Sequence, residues 1–151
     1  MLQVDAADRN GHTALMHAAK EGDIAVVNDL LYHGASLTAR SHKGKTPLHY
    51  AASHGRVEVV HLLLSRGAEV DPRDKHGRTP LMLAANYGCN QTVETLIWHG
   101  ADALAMSLSG NTAMVYAEGN RHPQSLDILM KSLTGYELDR APLLPQSAPE
   151  R

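Results

Sequence analysis

The chain has 151 residues, with 14 Lys and Arg against 16 Asp and Glu, and a formal net charge of −2 at pH 7. This length predicts a single domain. The one cysteine, Cys89, excludes an internal disulfide framework and fits a reducing compartment, so we expect a cytoplasmic or nuclear protein. No apolar run approaches the roughly 18 residues of a membrane span, and the N-terminus has no signal-peptide pattern, so no membrane insertion is expected.

A short pattern returns along the chain with a spacing of 33 residues. It reads GHTALMHAAKEG from Gly11, GKTPLHYAASHG from Gly44 and GRTPLMLAANYG from Gly77. A degenerate fourth copy starts at Gly110. A 33-residue period with a T-P-L-H-x-A core is typical of ankyrin repeats. The chain therefore resembles the ankyrin-repeat family over about residues 8–133.

The resemblance implies an all-α repeat solenoid, an ankyrin-repeat stack in which helix-turn-helix units are joined by β-hairpin fingers. First helices would line the concave side and second helices the convex side. The predicted segments are the end of an incomplete preceding repeat (1–7), repeat 1 (8–40), repeat 2 (41–73), repeat 3 (74–106), a degenerate capping repeat 4 (107–133) and a Pro-rich flexible tail (134–151).

Each repeat carries the same local signals. A glycine such as Gly44 suits a turn that requires a positive φ. Thr46 and its equivalents can cap the first helix, and Pro47 stands at the first helical position, where a missing N–H costs nothing. Repeat 4 departs from the pattern with Glu118 in place of an alanine and Arg121 in place of a helix-ending glycine. The polar residues Glu118, Asp127 and Lys131 predict a terminal repeat that faces water.

No catalytic or metal-binding motif emerges from the sequence. It has no Walker loop and no G-x-S-x-G, and Cys89 lacks a Cys/His/Asn context. The ten histidines form no pair with a metal-ligand spacing coupled to cysteines. We therefore predict a protein that is not an enzyme and needs neither cofactor nor metal. For Thr46 and His49, the T-P-L-H position of the family implies a structural hydrogen-bonding role.

The informative feature is the surface of fingertips and exposed first-helix positions, where family members generally contact partners. We predict these partner-binding residues: Arg9, Asn10, His12, Lys20, Arg40, His42, Lys43, Lys45, His54, Arg73, Lys75, His76, Arg78, Asn86 and Tyr87. Eight of them are cations, and we call these eight the basic face: Arg9, Lys20, Arg40, Lys43, Lys45, Arg73, Lys75 and Arg78. Glu21 is the acidic residue among the neighbouring positions.

This arrangement predicts a non-catalytic protein–protein interaction module, a monomer, that binds an acidic or phosphorylated protein segment on its basic face. Tyr87 would supply an aromatic anchor. One alternative is a structural spacer or targeting domain of a larger multidomain protein. A weaker alternative is nucleic-acid binding by the same cations, since the face offers one aromatic residue and no recognised nucleic-acid module.

Overall fold

The computed structural model describes residues 3–134, which form eight helices and no strand. The helices are α1 (Ala14–Glu21), α2 (Ile24–Tyr32), α3 (Pro47–Ser53), α4 (Val57–Ser65), α5 (Pro80–Asn86), α6 (Asn90–Trp98), α7 (Ala113–Gly119) and α8 (Pro123–Thr134). Within this part of the chain, every helix is too short or too polar to cross a membrane. The predicted Pro-rich tail lies almost entirely outside the described residues.

The first helix of each pair begins at a threonine cap. The Thr46 hydroxyl accepts the His49 amide N–H, and Thr13, Thr79 and Thr112 accept the equivalent amides in their own repeats. Pro47 opens α3 immediately after its cap, as the sequence pattern predicts. Because these helices have only seven or eight residues, a satisfied N-terminal amide is a substantial part of their local stability.

A left-handed residue separates the two helices of each pair. Gly22, Gly55 and Gly88 take φ values of 79°, 67° and 70° at this point. Arg121 occupies the same place in repeat 4 with a φ of 62°, a backbone conformation that residues other than glycine rarely adopt. The turn geometry is therefore kept even where the glycine is lost.

The helices pack in two layers. The first helices α1, α3, α5 and α7 contact one another in chain order, and α2, α4, α6 and α8 form the second layer behind them. Between the layers lies a single apolar core made mainly of Ala, Leu and Val, including the fully buried Leu15, Leu48, Leu63, Leu81 and Leu96. Small alanines in the first helices let adjacent repeats approach closely, so each short helix is stabilised by its neighbours.

The fingers between repeats are compact hairpin turns. In each finger, the backbone N–H of the first residue donates a hydrogen bond to the carbonyl oxygen four residues later. In the second finger, the Ser41 N–H donates to the Lys45 carbonyl oxygen at 3.0 Å. Gly44 closes this turn with φ 75°. The sequence analysis predicted β-hairpin fingers, but no strand forms within residues 3–134, because the hydrogen-bonded segments are too short to make a ladder. The tight turn of a hairpin is therefore present, but the segments on either side of it have no regular secondary structure.

Candidate functional site: the fingers and the basic face

The fingers form a row because a backbone hydrogen bond joins each one to the next. These bonds, with the amide donor given first, are His42 to Asn10, Lys75 to Lys43 and Leu108 to His76, at 3.0, 3.1 and 3.0 Å. They recur at the repeat period, so they hold successive fingertips in equivalent orientations. The predicted residues on the fingertips therefore recur at regular intervals along the row. The other predicted residues Lys20, His54, Asn86 and Tyr87 lie instead at the C-terminal ends of first helices.

Two arginines of the basic face connect neighbouring fingers. Arg40 Nη1 donates to the carbonyl oxygens of Gly44 and Arg73, at 2.8 and 2.6 Å. Arg73 Nη1 makes the same pair of bonds one repeat later, to Gly77 at 3.2 Å and Met106 at 2.6 Å. The sequence analysis placed both arginines among the partner-binding residues. In the structure both arginines hold neighbouring fingers together through neutral carbonyl acceptors. Arg73 in addition interacts electrostatically with the carboxylate of Asp71.

Arg78 is the member of the basic face that has a carboxylate partner. Its Nε lies 3.0 Å from Asp74 Oδ2, while Asp74 Oδ1 accepts the backbone N–H groups of His76 and Arg78, each at 2.9 Å. Burial acts to raise the pKa of Asp74, but these hydrogen bonds and the guanidinium charge outweigh it, and the pKa is lowered. Asp74 is therefore ionised at neutral pH and offsets part of the charge of Arg78.

Lys45 lies half-buried at the centre of the basic face. Its Nζ is 5.7 Å from the centre of the Tyr50 ring, within the range of a cation–π contact. Burial lowers the pKa of Lys45, and repulsion from Arg78 and Lys43 lowers it further, while Asp74 opposes the effect. Arg78 and Lys43 are therefore close enough for their charges to act on Lys45.

The remaining candidates differ in their exposure. Arg9, Asn10, Lys20, His42, Lys43, His54, Lys75, His76 and Tyr87 are exposed, and His12 and Asn86 are half-buried. The predicted anchor, Tyr87, has 59% of its surface accessible. Asn86 makes contacts with the next repeat. Its side-chain oxygen accepts a hydrogen bond from the Asn120 side chain at 2.6 Å, and its backbone carbonyl oxygen lies 3.1 Å from His122 Nε2. Asn86 thus contacts repeat 4 as well as bordering the surface.

His49 is fully buried between repeats 2 and 3. Its Nδ1 lies 3.0 Å from both the amide nitrogen and the hydroxyl of Thr46, and its Nε2 lies 2.9 Å from the carbonyl oxygen of Arg78. Burial lowers the pKa of His49 to about 4. The ring is therefore neutral at physiological pH and links the cap of α3 to the finger of the next repeat.

A family model described as "Ankyrin repeats (3 copies)" matches residues 1–74 and again residues 67–141. Together the two matches cover more than half of the chain. The chain belongs to the ankyrin-repeat family. The all-α repeat stack predicted from the sequence is confirmed. The family model itself describes three consecutive repeats and matches the chain twice, so it does not count the four predicted repeats one by one. No curated protein matches the chain.

Ankyrin repeats are generally protein–protein interaction modules, and the family is generally non-catalytic. In this chain the fingers and the exposed positions of the first helices lie outside the apolar core.

Two features of the surface escaped the sequence analysis. Asp8, His12 and His17 bring their carboxylate and imidazole atoms to within 4.8 Å of one another on repeat 1. The histidines are five positions apart and straddle the helix cap, so no metal-ligand spacing singled them out. The second feature is an apolar strip on the fourth finger, where Leu104, Met106 and Leu108 are 59%, 56% and 80% exposed. The alternation of these large apolar residues with the small residues Ala103, Ala105 and Ser107 was the signal in the sequence that could have revealed it.

Proposed function

We propose that this ankyrin-repeat protein binds an acidic or phosphorylated segment of another protein along its basic face. The observation that carries the proposal is an imbalance of charge. Of the eight cations, Arg78 alone forms an ion pair with a carboxylate among residues 3–134. None of the other seven has a carboxylate within ion-pair distance among these residues: Arg40 and Arg73 donate to carbonyl oxygens, and Lys45 lies over the Tyr50 ring. Acids nevertheless outnumber bases in the whole chain. A partner that supplies carboxylates or phosphates would complete these pairs.

The surroundings of Lys45 support the same proposal. Burial is the main reason that the pKa of Lys45 is lowered, and repulsion from Arg78 and Lys43 adds to it, so a bound anion would relieve that repulsion. The rigid spacing of the fingers favours an extended or helical segment that lies across two or three repeats. Such a contact would bury roughly 800 Å² on each partner, the usual size of a specific interface.

A charge-reversal experiment with a matched control tests the proposal. Arrays of acidic, phosphorylated, neutral and basic peptides are probed with the wild-type protein and with three variants, Lys43→Glu, Lys75→Glu and Arg66→Glu. Arg66 is exposed on the second-helix layer, where it donates to Asn28, so its reversal changes net charge equally but away from the face. We expect the wild-type protein to bind the acidic and phosphorylated peptides. The substitutions Lys43→Glu and Lys75→Glu should each weaken that binding about tenfold.

Equal retention of acidic and basic peptides would contradict the proposal, as would an equal loss in Arg66→Glu. Duplex DNA is included as a separate probe. If DNA bound more tightly than every peptide, with an affinity that falls steeply with salt, the nucleic-acid alternative would replace this one.

A further inference from the structure

We propose that Asp8, His12 and His17 form a binding site for a zinc ion on repeat 1. The candidate ligand atoms of the three residues lie within 4.8 Å of one another. Asp8 Oδ2 is 3.1 Å from His17 Nε2 and 3.8 Å from His12 Nδ1. Ligands of a tetrahedral zinc ion are about 3.3 Å apart when the bonds are about 2.0–2.1 Å long, so small side-chain rotations suffice to close the site.

The carboxylate of Asp8 is already oriented by the backbone. Its Oδ1 accepts the N–H groups of Asn10 and His12, each at 2.9 Å. Oδ2 faces the two imidazoles and lies at hydrogen-bond distance, 3.1 Å, from His17 Nε2, a contact that a metal ion would replace. A ligand oxygen held in this way needs little reorganisation when a cation arrives, which favours binding.

The orientation of His12 is set by a hydrogen-bonded chain from repeat 2. Its Nε2 lies 3.0 Å from the Tyr50 hydroxyl, and that hydroxyl donates its own proton to Ser41 Oγ at 2.9 Å. His12 Nε2 must therefore carry the hydrogen in this contact. In the neutral ring, Nδ1 then presents a lone pair towards Asp8 Oδ2. A proton on Nδ1 or a metal ion between the two atoms would remove the repulsion between them. A zinc-binding histidine typically donates its other N–H in the way that His12 Nε2 does here.

Repeat 3 supplies an internal comparison. Asp74 is the equivalent of Asp8 and accepts two backbone N–H groups in the same way, through its Oδ1. Its Oδ2 is neutralised by the Arg78 guanidinium at 3.0 Å, and Arg78 is the equivalent of His12. In repeat 1 the fixed cation is replaced by two imidazoles. A metal ion would restore the positive charge that this carboxylate position has in repeat 3.

The donor set indicates which ion is suited to the site. Two imidazole nitrogens and one carboxylate oxygen match zinc, whereas Mg²⁺ and Ca²⁺ prefer oxygen ligands throughout. Three protein ligands leave one position of a tetrahedron open. Because Asp8 and His17 are both exposed, that position can be taken by water or by a side chain of a bound protein.

Calorimetric titration of the untagged protein with zinc chloride tests the site. Asp8→Asn keeps an oxygen to accept the two backbone N–H groups but removes the carboxylate charge. His17→Tyr introduces the residue that repeats 2 and 4 carry at this position, as Tyr50 and Tyr116. We expect one zinc ion per wild-type chain, no competition from Mg²⁺, and binding weakened at least about tenfold in both variants. Tyr50→Phe, which removes the outer hydrogen bond, should also weaken binding with the far-UV spectrum unchanged.

A second histidine pair provides the control. His61 Nδ1 and His99 Nε2 lie 3.1 Å apart on the second-helix layer and offer a competing site. We expect His61→Ala to leave the affinity for zinc unchanged. The proposal would be overturned if the wild type showed no saturable binding, or if His61→Ala abolished binding while Asp8→Asn and His17→Tyr retained it.

Discussion

His49 Nε2 lies 2.9 Å from the carbonyl oxygen of Arg78, so a buried imidazole of repeat 2 holds the finger of repeat 3. On the other side of the ring, Nδ1 accepts the Thr46 N–H at 3.0 Å. Both nitrogens are therefore committed to the neutral ring, with the hydrogen on Nε2. Protonation of Nδ1 would turn the Thr46 contact into a repulsion between two donors.

We expect His49 to make the protein less stable in mild acid. Its pKa is lowered to about 4 in the folded state, chiefly by burial, against an ordinary value of 6.5. Above pH 6.5 the ring is neutral in both states and contributes no pH dependence. As the pH falls from 6.5 towards 4, only the unfolded chain gains the proton, and the free energy of unfolding decreases, by about 2 kcal/mol at pH 5.

The matched variant is His49→Met, because repeats 1 and 3 carry Met16 and Met82 at this position. The Asp74, Arg40 and Lys45 charges that act on the ring are present in both proteins. Urea unfolding at pH 7.5 and pH 5 should show a smaller pH effect in the variant than in the wild type. Identical pH effects would show that His49 is not the group responsible.

Gly44 tests the hydrogen bonds between fingers. A Cβ at this position would lie 2.8 Å from the Lys75 backbone nitrogen, which donates to the Lys43 carbonyl oxygen. Gly34 has a similar positive φ, but a Cβ there would meet no atom within 4 Å. Gly34→Ala should cost about 1–2 kcal/mol from backbone strain alone. Gly44→Ala should cost about 1 kcal/mol more, since the hydrogen bond is also disturbed. Equal unfolding midpoints for the two variants would argue against a tight contact between fingers.

Thr95 carries a buried hydroxyl that has no hydrogen-bond partner among the described residues. It lies in α6, fully buried, where repeat 2 has the apolar Leu62. Thr95→Val replaces the hydroxyl by a methyl of similar size and should stabilise the protein by about 1 kcal/mol. Thr95→Ser keeps the hydroxyl, loses a methyl, and should destabilise it by a similar amount. Thermal unfolding of the two variants measures both effects, and a destabilised Thr95→Val would mean that the hydroxyl is satisfied in solution.

Arg121 is the place where repeat 4 is strained. Its φ of 62° is one that Gly22, Gly55 and Gly88 adopt without penalty in the other repeats. Arg121→Gly should raise the free energy of unfolding by about 1 kcal/mol. Arg121→Ala removes the same long side chain but keeps the Cβ, so it should bring no gain. If both variants were equally stable, the effect would belong to the arginine side chain and not to the backbone.

The stack could be predicted from the sequence because its determinants are local and repeated. Thr46 followed by Pro47 starts a helix wherever the pair occurs, and Gly44 or Gly55 permits a turn through its own backbone freedom. These properties depend on a few adjacent residues. Their return at each repeat then indicates that neighbouring units must bury one another's apolar faces.

The chemistry of the surface depended on tertiary contacts. From the sequence, Arg40 and Arg73 were predicted only to bind a partner, but each also donates to the carbonyl oxygens of two successive fingers. Such contacts exist only once the repeats are stacked, since the second acceptor of each belongs to the following finger. The sequence also showed no reason to separate Arg78 from the other cations, although the buried Asp74 pairs with it.

The repeat period by itself determined the fold, the helix caps and the position of the candidate surface. Only the tertiary structure decided which charges are left without a partner and that Asp8, His12 and His17 converge, with Tyr50 of the next repeat orienting His12. The physical reason is the distance along the chain over which each interaction acts. Helix starts and turns are governed by backbone energies within a few residues, whereas a side chain's partners are set by the register in which one repeat packs on the next.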